Sequence, residues 1–379
     1  MGLDGGVATD GKNIYYSRPS DQGIATMPAG GGTPKSIVKF DTQYGRASLL
    51  LCAQDKVFYV LASSFSKSGG DELHIMGQDG SNDTVIYTAT GKNRIFRVFA
   101  HDKTVYPILT SQGSDYNTYA TVMAMDFDGK NQYVAYELEY ITGQVRELDQ
   151  YLTCIAMGFS DKDGQREYTA YMGYGASADA ATNRVYECNM TTDSTSYQKN
   201  PDSYTRHIDP TMIDNVDTGK ITRLAYYNGK LYCGDGDVFA KEVFDSTRKK
   251  DEEQDKELYQ LLIFKDKGTM AELIAINKHG AFFAVPVFPE GAEELPGGGM
   301  TTEAESYRVA RVSLDRKASS NVQDAPAPNA AYDGITYFAP RFADTGKGIV
   351  VFEQAQDPTA TGLKIAMLDY DLKNLREVG

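Results

Sequence analysis

The stretch "MAMDFDGKNQYVAYE", residues 123–137, reads as a strand, a tight turn and a second strand, and versions of it recur along the whole chain. Each copy centres on an apolar residue just before a turn that carries Asp or Gly. Seven copies are found, anchored at Met27 ("IATMPAGGGT"), Met76 ("LHIMGQDGS"), Met125 ("VMAMDFDGK"), Met190 ("YECNMTTDS"), Ile263 ("QLLIFKDKG"), Val312 ("ARVSLDRK") and Leu368 ("IAMLDYDLK"). Successive anchors lie 49, 49, 65, 73, 49 and 56 residues apart, and the recurring step of 49 marks an internal repeat. Upstream of most anchors stands a second shared phrase, a turn followed by an alternating aromatic strand: "DGKNIYYS", "QDKVFYVLAS", "HDKTVYPILT", "NGKLYCGD", "KHGAFFAVPV" and "TGKGIVVFEQ". Asn-Gly or Asp-Gly between alternating apolar residues is a strong hairpin signal.

Two hairpins per unit make four antiparallel strands, which is one propeller blade. The expected fold is therefore all-β, a seven-bladed β-propeller of four-stranded antiparallel blades, with six or eight blades as alternatives. One domain, 1–379, takes up the chain, with blades near 5–40, 47–89, 94–138, 145–204, 221–275, 276–325 and 334–379. A β-sandwich shares the short strand spacing, but the fixed step favours the propeller. The charged stretch "STRKKDEEQDKELYQLL" is the exception, read as a helical turn or two or a mobile loop.

Charge narrows the partners. With 38 Lys+Arg against 52 Asp+Glu the chain carries −14, which argues against a sequence-independent grip on nucleic acid or on an anionic membrane surface. The 41% hydrophobic content suffices for a sizeable core. No window approaches a membrane span, and the start "MGLDGGVATDG" shows neither a basic n-region nor an apolar h-region. Cys52, Cys154, Cys188 and Cys233 have no C-x-x-C spacing and sit in apolar runs, so they read as packing thiols.

The last unit, "YFAPRFADTGKGIVVFEQ" followed by "LKIAMLDYDLKNLREV", resembles the TolB-type β-propeller repeat, in which a Pro-Arg-Phe stretch precedes the turn. "DGKNIYYSRPSDQGIATMPAGGGTPKSI" is similar to propeller modules of bacterial extracytoplasmic proteins and lipoproteins. The likeness is close in the first, third and last units and departs from Trp-Asp repeats, since the chain has no Trp. It implies an extracytoplasmic location, a lipid anchor in a native precursor, and binding of proteins or glycans. It carries over no catalytic residues.

Long connections of differing sequence, such as "SSFSKSGGDE", "TSQGSDYNTYA" and "FPEGAEELPGGGMTTEAES", belong to one face of such a ring, where binding residues concentrate. The stretches entering each unit hold a recurring arginine: Arg46, Arg97, Arg146, Arg223 and Arg341, joined by Arg206 in "YTRHIDP". Guanidinium groups gathered at one axis suit carboxylates or sulfates. The rival use is pairing with the chain's many acids. Tyr44, Tyr140, Tyr204 and Tyr332, with Tyr116, Tyr119 and Tyr174, fall in the same variable segments and suit sugar stacking or protein contacts, or the capping of blade junctions.

The expected function is a non-catalytic binding scaffold for a protein or oligosaccharide. The alternative is a lyase or hydrolase acting on an acidic polysaccharide, with His207 or a tyrosine as base. His74, His101, His207 and His279 are isolated in sequence and no H-E-x-x-H or G-x-S-x-G occurs. "GYGASA" fits G-x-G-x-x-A only formally, because no helix follows. "DFDG" and "DKDG" lack the downstream Glu of a calcium loop and read as hairpin turns, so no cofactor is expected and Ca²⁺ is the one ion to consider.

Overall fold

A computed structural model describes residues 3–4, 6–18, 23–40, 47–64, 66, 68–112, 118–138, 150–162, 165–176, 184–190, 211–212, 221–228, 230–235, 241–242, 259–260, 272–293, 301–302, 304, 306–312, 314, 323–326, 331–332, 335–336, 341–354 and 363–378. The described chain is all β, and the protein is a β-propeller.

Five sheets are complete blades, each an antiparallel meander with four strands of three residues or more. Sheet I comprises Val7–Thr9, Asn13–Arg18, Gly23–Pro28 and Lys35–Lys39. Sheet II comprises Ala47–Ala53, Lys56–Leu61, Glu72–Gly77 and Thr84–Thr88. Sheet III comprises Arg94–His101, Thr104–Gln112, Thr118–Asp126 and Tyr133–Leu138. Sheet VI comprises Glu272–Asn277, Gly280–Val287, Ser306–Val312 and Gln323–Pro326. Sheet VII comprises Arg341–Asp344, Ile349–Gln354, Leu363–Leu368 and Leu375–Glu377.

Between III and VI the ring is reduced. Sheet IV has long inner strands, Gln150–Lys162, Gln165–Ala176 and Arg184–Met190, but its outer strand is the two-residue Thr211–Met212. In sheet V, behind Ile221–Tyr227 and Lys230–Asp235, both outer strands shrink to Lys241–Glu242 and Tyr259–Gln260. The expectation of a seven-bladed propeller of four-stranded blades, or of six or eight blades, is thereby corrected to five complete blades among the described residues. The physical reason is that an Asp/Gly turn marks a hairpin, and a hairpin does not specify how much of an outer strand pairs beyond it. The charged stretch read as helix or loop contributes the edge strand Tyr259–Gln260, and its remainder lies outside the described residues, apart from that strand.

Two further departures concern single strands. Leu3–Asp4 pairs antiparallel with Leu49–Leu50 of sheet II, giving that sheet a fifth strand on its inner edge. Ala331–Tyr332 and Ile335–Thr336 form a separate two-stranded ladder ahead of sheet VII.

The anchors have a common place. Met27, Met76, Met125, Met190, Val312 and Leu368 all stand at the end of a third strand, opposite Ile14, Val57, Val105, Tyr168, Ala281 and Ile349 of the second strand. Ile263 lies outside the described residues. The cores lie between sheets, as face-to-face packing requires. Ala8, Tyr15 and Ile24 of sheet I meet Leu50, Val57 and Tyr59 of sheet II. Ile14, Tyr16 and Met27 on the other face of sheet I meet Val350, Phe352 and Ile365 of sheet VII. First strands of successive sheets touch from I through VII and back to I, so the ring closes by packing, and these strands line its axis.

Five first strands carry a bulge of one extra residue, at Ser48, Phe96, Thr153, Thr222 and Ile274. Bulges increase local twist and turn a strand's free edge aside, which suits strands crowded around an axis.

Candidate functional site

A meander sends its first and third turns to one face and its remaining connections to the other. The turn face is closed on itself. In "DFDGKN", Asp126 N–H donates to the Lys130 carbonyl at 2.9 Å, Gly129 N–H to the Asp126 carbonyl at 2.9 Å, and the Asn131 amide to Asp126 Oδ2 at 2.6 Å. The Lys130 ammonium lies 2.8 Å from Asp128 Oδ2 and, with its own backbone N–H, holds that carboxyl below its usual range. Asp369 is held the same way by the Lys373 N–H and the Asn374 amide. The "DFDG" stretch is a hairpin turn; in "DKDG" Asp161 and Lys162 pair with Arg166 and Gln165, and residues 163–164 lie outside the described set.

The opposite face carries the candidate site. On it Asp71, a buried carboxylate, accepts from Ser63 N–H at 2.8 Å and from Ile95 N–H at 2.9 Å. One side chain thus ties a loop of sheet II to the first strand of sheet III. In sheet VI the connection after Val287 is stapled by Thr301 N–H to the Glu293 carbonyl and Glu293 N–H to Thr301 Oγ1, both 2.9 Å. Lys92 and Arg94 are exposed where the chain passes from sheet II to III. They stand in "GKNR", which runs into the first strand of sheet III at Arg94.

The expected ligand residues fall in different places. Arg97 and Arg223 share one position, directly after the bulge of a first strand. Arg97 is buried, with its guanidinium carbon 5.5 Å from the centre of the Phe96 ring. It borders a small cavity of about 10 Å³ between sheets II and III, lined also by Leu49, Leu51, Phe58, Leu73 and Val98. Arg341 is exposed at the start of sheet VII's first strand. Tyr332 lies in the separate ladder. Arg46, Arg146, Arg206, Tyr44, Tyr140, Tyr204 and the alternative base His207 lie outside the described residues.

The described histidines are all engaged by aromatic rings. His101 stacks on Phe159 of the next sheet at 4.3 Å, and His279 on Tyr370 of the next sheet at 4.4 Å. His74 stacks on Tyr59 at 4.4 Å within sheet II. This last pair belongs to a polar cluster at the junction with sheet I. Tyr59 Oη donates to Asp83 Oδ2 at 2.7 Å and lies 2.9 Å from His74 Nδ1. His74 Nδ1 is also 3.2 Å from Asp83 Oδ1, and its Nε2 is 3.5 Å from Glu72 Oε2. Burial, then the hydrogen bond and charge of Asp83, push the Tyr59 phenol far up. The residue types are those of acid–base chemistry, but Tyr59 is 2% exposed and its ring packs against Phe40 of sheet I. The four polar residues all belong to sheet II, with Asp83 exposed at its outer end, and Phe40 packed on Tyr59 is the contact that joins them to sheet I.

No family model and no curated protein matches the sequence. Solved structures do. A chain from "Structural and Mechanistic Analysis of Two Prolyl Endopeptidases" aligns with all of this chain and 49% of its own length, at TM-score 0.55 and 9% identity. A puromycin-hydrolyzing peptidase of Mycobacterium tuberculosis aligns with all of this chain and 53% of its own length, at TM-score 0.51 and 11% identity. The chain thus spans about half the length of these two proteins, and the likeness is one of fold.

Proposed function

We propose that the protein is a non-catalytic binding scaffold of the TolB-like kind that works outside the cytoplasm and holds a protein or an oligosaccharide on the face opposite the short turns. The observation that supports this most is the engagement of His74, His101 and His279 in ring stacks 4.3–4.4 Å from an aromatic neighbour, which uses these general bases for packing. Described ends of two connections on the proposed face add to it, Ser63 N–H donating to Asp71 and Glu293 N–H to Thr301, on a closed ring. The net charge of −14 favours partners other than nucleic acid. The peptidase likeness brings the propeller alone, so no peptidase activity is assigned.

The test is an array of neutral and acidic oligosaccharides, probed with the protein and with an Arg223→Ala/Arg341→Ala variant and a Tyr44→Ala/Tyr140→Ala/Tyr204→Ala variant. Retention of an intact glycan, weakened in either variant, is the expected result. Time-dependent cleavage of an acidic polysaccharide would replace the scaffold with a lyase or hydrolase. Silence across the array would move the ligand class to protein.

A further inference from the structure

His74 stands on the third strand of sheet II with a carboxylate at each ring nitrogen. Nδ1 lies 3.2 Å from Asp83 Oδ1 and Nε2 3.5 Å from Glu72 Oε2, and Nε2 is buried without a hydrogen bond. The groups facing the ring are Glu72 from its own strand, Tyr59 from the second strand and Asp83 ahead of the fourth, while sheet I brings Phe40 against Tyr59. Neutral imidazole carries one N–H, so either tautomer leaves one carboxylate facing a bare nitrogen. Only the imidazolium directs an N–H to both. Tyr59 Oη commits its own proton to Asp83 Oδ2 at 2.7 Å, so Nδ1–H has two acceptors, Tyr59 Oη at 2.9 Å and Asp83 Oδ1. The more weakly held proton is therefore the one on Nε2, facing Glu72.

Glu72 leads out of the cluster. Its Oε2 faces His74, and its Oε1 accepts from the Ser68 backbone N–H at 3.3 Å. Ser68 lies between the second and third strands, on the face opposite the short turns. The geometry points to a pH-dependent fastening of this part of the connection, in which doubly protonated His74 holds Glu72 against Ser68. Histidine changes charge between about pH 5 and 8. As the pH rises and Nε2 gives its proton to solvent, its lone pair repels the Glu72 carboxylate and the bond to Ser68 loosens. Exposed Asp83 opens the cluster to water. Any effect on ligand capture rests on the reading of that face as the binding face; the fastening itself does not.

The test is nitrogen-15 NMR of the full chain from about pH 5 to 8. Both His74 ring nitrogens should read as protonated at the acid end, and Nε2 alone should lose its proton as the pH rises. The Ser68 amide should shift with the same midpoint, while the Ser63 amide, held by Asp71, should not. In His74→Gln the Ser68 titration should vanish. A neutral ring at the acid end, a Ser68 amide that ignores the His74 midpoint, or an unchanged Ser68 titration in His74→Gln would overturn the proposal. The first two are read in the unaltered protein, so misfolding of the variant leaves them decisive. Failure of every ligand screen would remove the binding reading and leave the Ser68 titration as it is.

Discussion

Gly80 and Gly129 stand at the third turn of sheets II and III, each with φ in the left-handed region, +85° and +75°. A Cβ on Gly80 would lie 2.2 Å from the Ile37 carbonyl of sheet I, and one on Gly129 2.7 Å from the Ile86 carbonyl of sheet II. The Asp-Gly signature of the repeat therefore serves two ends, the turn itself and the approach of each turn to the preceding sheet's outer strand. Gly80→Ala should cost about 2–4 kcal/mol, combining left-handed strain with overpacking. Gly91→Ala, at φ +64° in open space, should cost only the strain, about 1–2 kcal/mol. Urea midpoints of the two variants test the difference; equal midpoints would remove the contact with Ile37 from the account. Tyrosines offer a second test at this scale. Burial raises the phenols of Tyr15, Tyr59 and Tyr370, each aided by the carboxylate it donates to, Asp10, Asp83 and Asp344. The folded state favours the protonated phenol, so this stability is intact below the ordinary tyrosine value near about 10 and is lost as pH rises above it. Each phenol steepens the alkaline loss by up to about 1.4 kcal/mol per pH unit. Tyr59→Phe should flatten the slope of unfolding free energy above that pH by one such share; an unchanged slope would mean that Tyr59 ionises in the folded protein.

At the scale of elements, Asp71 shows how a loop is made part of a blade. Its carboxylate holds Ser63 and Ile95 N–H groups, while its own carbonyl accepts from Ala89 N–H at 2.9 Å. Asp71→Ala strands two donors and should cost about 2–4 kcal/mol. Hydrogen exchange should quicken at Ser63 and Ile95 more than at Ala89, whose backbone acceptor remains; uniform quickening would point to global destabilisation instead. The inner-edge strand Leu3–Asp4 makes a parallel case. Neighbouring N–H groups point to opposite sides of a strand, so a variant lacking residues 1–4 should lose amide protection at one of Leu49 and Leu50 and keep it at the other and at Val57, which is paired inside the sheet. The elements differ in how far the sequence announces them. Hairpins were legible because Asp and Gly must occupy tight turns: six described anchors all end third strands. The outer strands of sheets IV and V were not, because two-residue ladders such as Lys241–Glu242 with Tyr259–Gln260 leave no alternating pattern to read. Bulges were equally silent, since Ser48, Phe96, Thr153, Thr222 and Ile274 follow no common residue type across the five. That silence hid the shared position of Arg97 and Arg223, and with it the burial of Arg97, since a guanidinium reads as surface until its sheet partners are known.

The whole molecule depends on how its ends meet. Sheet VII packs face to face on sheet I, with Phe352 and Tyr16 rings 5.6 Å apart and tilted, and Gly31 of sheet I against Val378 beyond the last strand. The last sheet also grips the one before it: Asn277 donates to Asp344 at 2.8 Å, and Arg311 reaches the Tyr370 carbonyl at 2.6 Å and the Asp371 carboxylate at 3.1 Å. Closure by packing has a consequence that an open stack of repeats lacks. In an open stack each unit is stabilised by its neighbours alone, and damage at one end stays at that end. In a closed ring, opening one junction leaves two sheets each with an uncovered apolar face. Phe352→Ala removes a buried ring at the junction and should cost about 3–5 kcal/mol. If the ring unfolds as a unit, the slowest-exchanging amides of sheet III, among them Ile108 and Val122, should lose as much protection as Val350 beside the mutation. If only Val350 and its neighbours in sheets VII and I are affected, while Ile108 and Val122 exchange as before, the junction is a local contact and the protein behaves as a linear array bent into a circle.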